Sequence, residues 1–112
     1  MKYKEKLVKY FELFSNKNIL ELEKMFSKDI NLIDWNITAY GKQEVVDANK
    51  NIFNSVDTIR VTPIAFYSNS DTSYAILISI EVNQSEKLNV IDVISFDDKG
   101  LINSIVAFKN GN

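Results

Sequence analysis

Apolar side chains recur at four-, three- and four-residue intervals near the start of the chain, at Tyr3, Leu7, Tyr10 and Phe14, with Val8 and Phe11 widening the stripe. That spacing puts every member on one side of a helix and predicts an amphipathic α-helix over about residues 2 to 15. Polar Ser15-Asn16-Lys17-Asn18 ends it, and Asn18 is placed to cap a second, shorter helix whose buried side is Ile19, Leu22, Met25 and Phe26. A brief strand is expected from Asn31 to Asp34, then a loop from Trp35 to Tyr40. After Gly41 comes a third helix with Val45, Ala48 and Ile52 on one side, flanked by Val46 and Phe53.

Beyond that point the period changes from helical to alternating. Four β segments are predicted near residues 58 to 67, 73 to 82, 88 to 96 and 101 to 108, separated by polar turns at Ser68 to Asp71, Asn83 to Glu86 and Asp97 to Gly100. Gly100 supplies the positive φ that the last turn needs. Short turns imply an antiparallel meander, and helices followed by strands imply an α+β domain: a strongly curved antiparallel sheet with the three N-terminal helices segregated onto one face. The chain reads as one domain over residues 1–112. Tyr74, Ile76, Ile78, Ile80 and Val82 line the core side of one strand, while Ala75, Leu77, Ile91, Val93, Ile105 and Ala107 are placed on the other side of the sheet. Water alone would not favour aliphatic side chains there, so a homodimer through the outer sheet face is expected.

Within the third meander strand, Leu88, Val90, Asp92, Ile94 and Phe96 share one face. A carboxyl group inside an apolar row is either paired or kept neutral by the cost of desolvating its charge. A neutral carboxylic acid donates a hydrogen bond, which makes Asp92 a candidate for chemistry.

Composition narrows what that chemistry can be. The chain has neither cysteine nor histidine. Disulfides, thiolate nucleophiles, imidazole ligands and a Ser-His-Asp arrangement are thereby excluded, and any acid or base must be a carboxylate, a lysine or a tyrosine. No loop carries the spaced oxygen ligands of an EF-hand, and no metal site or cofactor is expected. A net charge of −2 with dispersed lysines gives no stripe to neutralise phosphates, so nucleic acid is not an expected partner. The charged N-terminus offers no signal peptide and no segment has the length of a membrane span, so a cytoplasmic location without membrane attachment is expected.

The order of two helices, a short strand, a helix and a four-stranded meander resembles the nuclear-transport-factor-2-like (NTF2-like) superfamily, also described as SnoaL-like or cystatin-like. The resemblance rests on Tyr10-Phe11 followed by Asn16-Lys17-Asn18, on Leu22 to Phe26, on Asp29 to Asp34, on Gly41-Lys42 before Val45, and on Val90 to Ile102. It implies a cone whose helices lie on the concave face of the sheet and close a mostly apolar pocket, often in a dimer. Within the superfamily the chain is similar to ketosteroid isomerase. That similarity implies an oxyanion-binding tyrosine at Tyr10, a general-base aspartate at Asp34 and a protonated aspartate at Asp92. Where those isomerases usually have proline after the base, this chain has Trp35. Phe14, Trp35, Phe53, Phe66, Ile94 and Phe108 are the candidate apolar walls.

Each site residue also has a plainer explanation. Tyr10 falls on the same stripe as Leu7 and Phe14 and fits a core aromatic; Asp34 fits a turn cap; Asp92 fits a buried acid bonded to Tyr10 or to the main chain. Three functions follow: proton transfer on a small hydrophobic carbonyl compound, of the ketosteroid-isomerase or polyketide-cyclase kind; a non-catalytic metabolite pocket; or a protein-interaction module that uses the sheet face.

Overall fold

The structure is a computed structural model and describes residues 1–111. Three helices, α1 (Lys4–Ser15), α2 (Ile19–Met25) and α3 (Lys42–Ser55), accompany six strands: β1 (Phe26–Ile33), β2 (Thr38–Tyr40), β3 (Ile59–Ser68), β4 (Ser73–Val82), β5 (Glu86–Phe96) and β6 (Ile102–Lys109). The strands form a single curved, unclosed sheet in the order β2-β1-β6-β5-β4-β3, an α+β architecture.

Local chemistry explains the helix boundaries. Leu7, Tyr10 and Phe11 of α1 are buried as their spacing predicts. The Ser15 hydroxyl then accepts from the main-chain N–H of Val61 at 2.8 Å and pins the end of the helix to β3. Asn18 caps α2 by accepting from the N–H of Glu21. Gly41, with φ of 87°, lets the chain turn from β2 into α3, and Glu44 reaches back to accept from the N–H of Tyr40 at 2.9 Å.

Two expectations about the sheet are corrected. The segment from Trp35 to Tyr40 is not all loop, because Thr38–Tyr40 pairs with Asn31–Ile33 as strand β2, and β1 itself begins as early as Phe26. The sheet is also mixed rather than wholly antiparallel. After β1, α3 carries the chain to the far edge, the meander runs back across, and β6 arrives beside β1 in parallel, with Leu32 opposite Ile105 and Ile33 opposite Val106.

A third correction concerns which side chains face inward on β6. Ser95 pairs with Ser104 and Phe96 with Ile102, so Asn103 is an extra residue in the ladder. Such a bulge reverses the alternation beyond it. Ile105 and Ala107 therefore face the interior, opposite Ile94 and Asp92, whereas Val106 and Phe108 lie on the outer face opposite Val93 and Ile91. The expected outer placement of Ile105 and Ala107 was wrong for this reason; that of Ala75, Leu77, Ile91 and Val93 holds, with Leu77 paired to Ile91 and Ala75 to Val93.

Candidate active site

The concave face and the helices enclose a cavity of about 230 Å³ between α1, α3 and β3 to β6. One end is tightly packed. There Tyr3 lies against Phe96 with ring centroids 4.4 Å apart, and Tyr74 lies edge-on to the same ring. Trp35 and Asn36 are the exposed members of the cavity lining and mark the side on which it opens.

Tyr10, Asp34 and Asp92, chosen from the sequence, all line this cavity. Tyr10 comes from α1 and is 5% exposed; Asp92 comes from the middle of β5 and is 7% exposed. Asp34 follows the last residue of β1 at the mouth. The sheet register explains why the two carboxyl groups share one hollow. Asp92 is paired with Ala107, and Ile33 with Val106, so Asp34 is level with Ala107 on the opposite side of β6. Two strand spacings then separate the acid backbones by about 10 Å, with Ala107 on the strand between them.

Of the proposed walls, Phe14 and Trp35 line the cavity and four residues do not. Phe53 stands behind Phe14, in edge contact at 4.8 Å between ring centroids, because the cavity-facing side of α3 is Asn49 and Ile52, continued by Val56 just past the helix end. Phe66 lies opposite Ile76 under α1, with the Lys4 ammonium 5.1 Å from its ring. Ile94 is one step beyond Asp92 toward the packed end and is completely covered. Phe108 is turned outward by the bulge at Asn103 and is 60% exposed. Trp35 is half-exposed at the rim, where the Lys109 ammonium sits 5.6 Å from its ring centroid.

Two polar lining residues were not among the candidates from the sequence: Asn36, in the turn after Asp34, and Asn49 of α3, which is 2% exposed. For Asn49 the sequence does carry a signal. An amide among Val45, Ile52 and Val56 at helical spacing is the α-helical counterpart of an acid in an apolar strand, although the same spacing equally admits Ala48 at the inward position.

The hydrogen bonds separate the three oxygen groups. Oδ1 of Asp34 accepts from the N–H groups of Asn36 at 2.7 Å and Ile37 at 2.6 Å, so this carboxylate does hold the turn that joins β1 to β2, as the plainer reading anticipated. Among the described residues no hydrogen bond reaches Oδ2 of Asp34, the Asp92 carboxyl group or the Tyr10 hydroxyl, and Asp92 is bonded neither to Tyr10 nor to the main chain. Burial pushes the Asp92 carboxyl up to about 7, with the negative charge of Asp34 adding to the shift. Burial likewise raises the Tyr10 phenol well above its ordinary value, and the Asp92 charge raises it further, so Tyr10 remains a proton donor. The cavity thus offers one permanent O–H donor, one carboxyl group that is half-protonated near neutrality, and one carboxylate oxygen at the mouth. Among the described residues no cluster of three or more acidic side chains is grouped to hold a metal ion, and no helix is long and apolar enough to cross a membrane.

No protein-family model matches the sequence, and no curated protein matches it. Solved structures do resemble it. A candidate ketosteroid isomerase from Kribbella flavida has 16% identity over 95% of this chain and 76% of its own, with a TM-score of 0.80. An NTF2-like protein of unknown function from Cytophaga hutchinsonii has 8% identity over 93% of this chain and 86% of its own, with a TM-score of 0.77. SalBIII, an epoxide hydrolase/cyclase-like enzyme of pyran ring formation in the polyether salinomycin, has 19% identity over 97% of this chain and 91% of its own, with a TM-score of 0.77. The fold of this chain is therefore NTF2-like, also called cystatin-like.

Proposed function

We propose that this protein, as a single domain, binds a small and largely apolar carbonyl compound in the cavity and moves a proton on it by acid/base chemistry, with no cofactor. Tyr10 and protonated Asp92 donate to the substrate oxygen, and Oδ2 of Asp34 removes a proton from the adjacent carbon and returns it elsewhere on the enolate. Ring closure of the cyclase kind needs the same parts, an acid on the oxygen and a base on the attacking atom. The observation that carries the reading is the placement of Tyr10 and Asp92, two buried oxygen groups without protein partners, on an apolar hollow that they share with Asp34. The neighbours described as a candidate isomerase and a cyclase-like enzyme support it.

The volume limits the substrate. About eight waters' worth of space accommodates a body of about ten non-hydrogen atoms, so larger ligands project past Trp35. The test uses a naphthol, a phenol of this size that mimics an enolate. It binds the wild-type protein, and Asp34→Asn tightens it by removing the carboxylate charge while keeping the oxygen that holds the turn. The same substitution abolishes turnover of a small β,γ-unsaturated ketone, and Tyr10→Phe lowers that turnover by about 10²–10³. Naphthol binding that ignores changes at Tyr10 and Asp92 would reduce the cavity to a passive pocket, and no binding would favour an interaction module.

The outer sheet face supports a homodimer as the second part of the proposal. Ile91, 44% exposed, and Phe108, 60% exposed, are directly paired there, beside Leu77, Val93 and Val106.

A further inference from the structure

Asn49 is the one polar residue on the α3 wall of the cavity, between Ile52 and the packed end of the helix. Its Nδ2 is buried with no hydrogen-bond partner among the described residues. Buried amides are nearly always satisfied, because a primary amide taken out of water forfeits two donor and two acceptor interactions. An aliphatic residue would fill the same helical position without that penalty. The rest of this wall gives no structural reason for an amide, since Ile52 and Val56 are apolar and the Tyr10 and Asp92 oxygens are not bonded to it.

We infer that Asn49 is a ligand-recognition residue, and that the natural ligand carries a second oxygen function, apart from the carbonyl oxygen held by Tyr10 and Asp92, which hydrogen-bonds the Asn49 amide. The inference rests on the proton-transfer reading of the cavity and narrows its substrate class to small apolar compounds with two oxygens, such as hydroxy- or oxo-substituted cyclic ketones. A site built to bond an oxygen rejects the analogue that lacks it, because the amide is then left unmet in the complex. Asn49 would thus set specificity, while Tyr10, Asp34 and Asp92 carry out the chemistry.

The experiment compares 2-naphthol, with one oxygen, against a panel of naphthalenediols that place a second hydroxyl at each ring position, by calorimetric titration of wild-type protein and Asn49→Leu. At least one diol should bind wild type about tenfold or more tightly than 2-naphthol, and Asn49→Leu should erase that advantage while changing 2-naphthol affinity by less than about threefold. Ligand-free Asn49→Leu should unfold at the same or a higher temperature than wild type. The inference is overturned if no diol outperforms 2-naphthol, if the advantage survives in Asn49→Leu, or if both ligands weaken together, which would assign Asn49 to the first oxygen. A fall of more than about 4 °C in the unfolding temperature would make Asn49 a packing residue and would also overturn it. Failure of 2-naphthol itself to bind wild type would instead remove the proton-transfer reading, and this inference with it.

Discussion

Asp92 illustrates a conflict between stability and chemistry within one side chain. Its carboxyl group ionises at about 7 in the folded protein, against 3.8 for an unperturbed group. The folded chain therefore holds this proton more tightly than the unfolded chain does. The associated stabilisation is complete below about pH 4 and is lost as the pH rises through about 7. Asp92→Asn, which carries no charge at any pH, should be more stable than wild type by about 2–4 kcal/mol at pH 8 and by almost nothing at pH 4. Urea unfolding of both proteins at the two pH values checks this, and an equal difference at both would contradict it. The sequence disclosed this residue because an acid interrupting Val90, Ile94 and Phe96 violates a strong pattern. Asn49 violates a weaker one. A helical stripe tolerates drift of one position, and Ala48 gave an apolar alternative next door.

At the scale of elements, Asp34 serves two purposes that a suitable pair of substitutions separates. Asp34→Ala removes the oxygen that accepts from Asn36 and Ile37 and should destabilise the protein by about 1–2 kcal/mol, whereas Asp34→Asn retains an acceptor and should lie within about 0.5 kcal/mol of wild type. Thermal unfolding measures both, and equal losses would deny the turn its dependence on that oxygen. The bulge in β6 makes a second prediction. Ala107 lies between the two acids inside the cavity and Phe108 lies outside it, so Ala107→Leu should abolish naphthol binding while Phe108→Ser leaves it unchanged. The opposite result would mean that β6 has the uninterrupted alternation its residues suggest. Helix periods and polar turns were legible from the start, since both are set by near neighbours. The bulge, strand β2 and the parallel β1–β6 pairing were not. The parallel pairing brings together residues more than 70 positions apart, as Ile33 and Val106 are, and no local pattern records that; β2 is a three-residue strand too short to show an alternation, and the bulge inserts the single residue Asn103 into a run whose side chains otherwise alternate.

For the whole molecule, the curved sheet has two working faces. The concave one holds the cavity, and the convex one presents Leu77, Ile91, Val93, Val106 and Phe108. A dimer through the convex face should show a concentration-dependent mass by sedimentation, and Ile91→Lys with Phe108→Lys should make it monomeric without changing naphthol affinity. A mass independent of concentration, or one the double substitution leaves unaltered, would rule that face out as the contact. The α+β architecture and the convergence of Tyr10, Asp34 and Asp92 were legible in the order of elements. Of the inner walls, Phe14 was legible from the stripe of α1 and Trp35 from its place after Asp34, whereas Phe108, beyond a bulge, was not.

The central claim is that Asp92 sits in a largely apolar hollow as an unpaired acid, ready to donate to a bound oxygen, and its ionisation reports this directly. Carbon-13 NMR of the aspartate carboxyls, with the Asp92 signal identified by its absence from Asp92→Asn, should show a midpoint near pH 7 in the free protein, moving higher when naphthol is bound. A midpoint in the ordinary carboxylate range, unmoved by naphthol, would contradict the account.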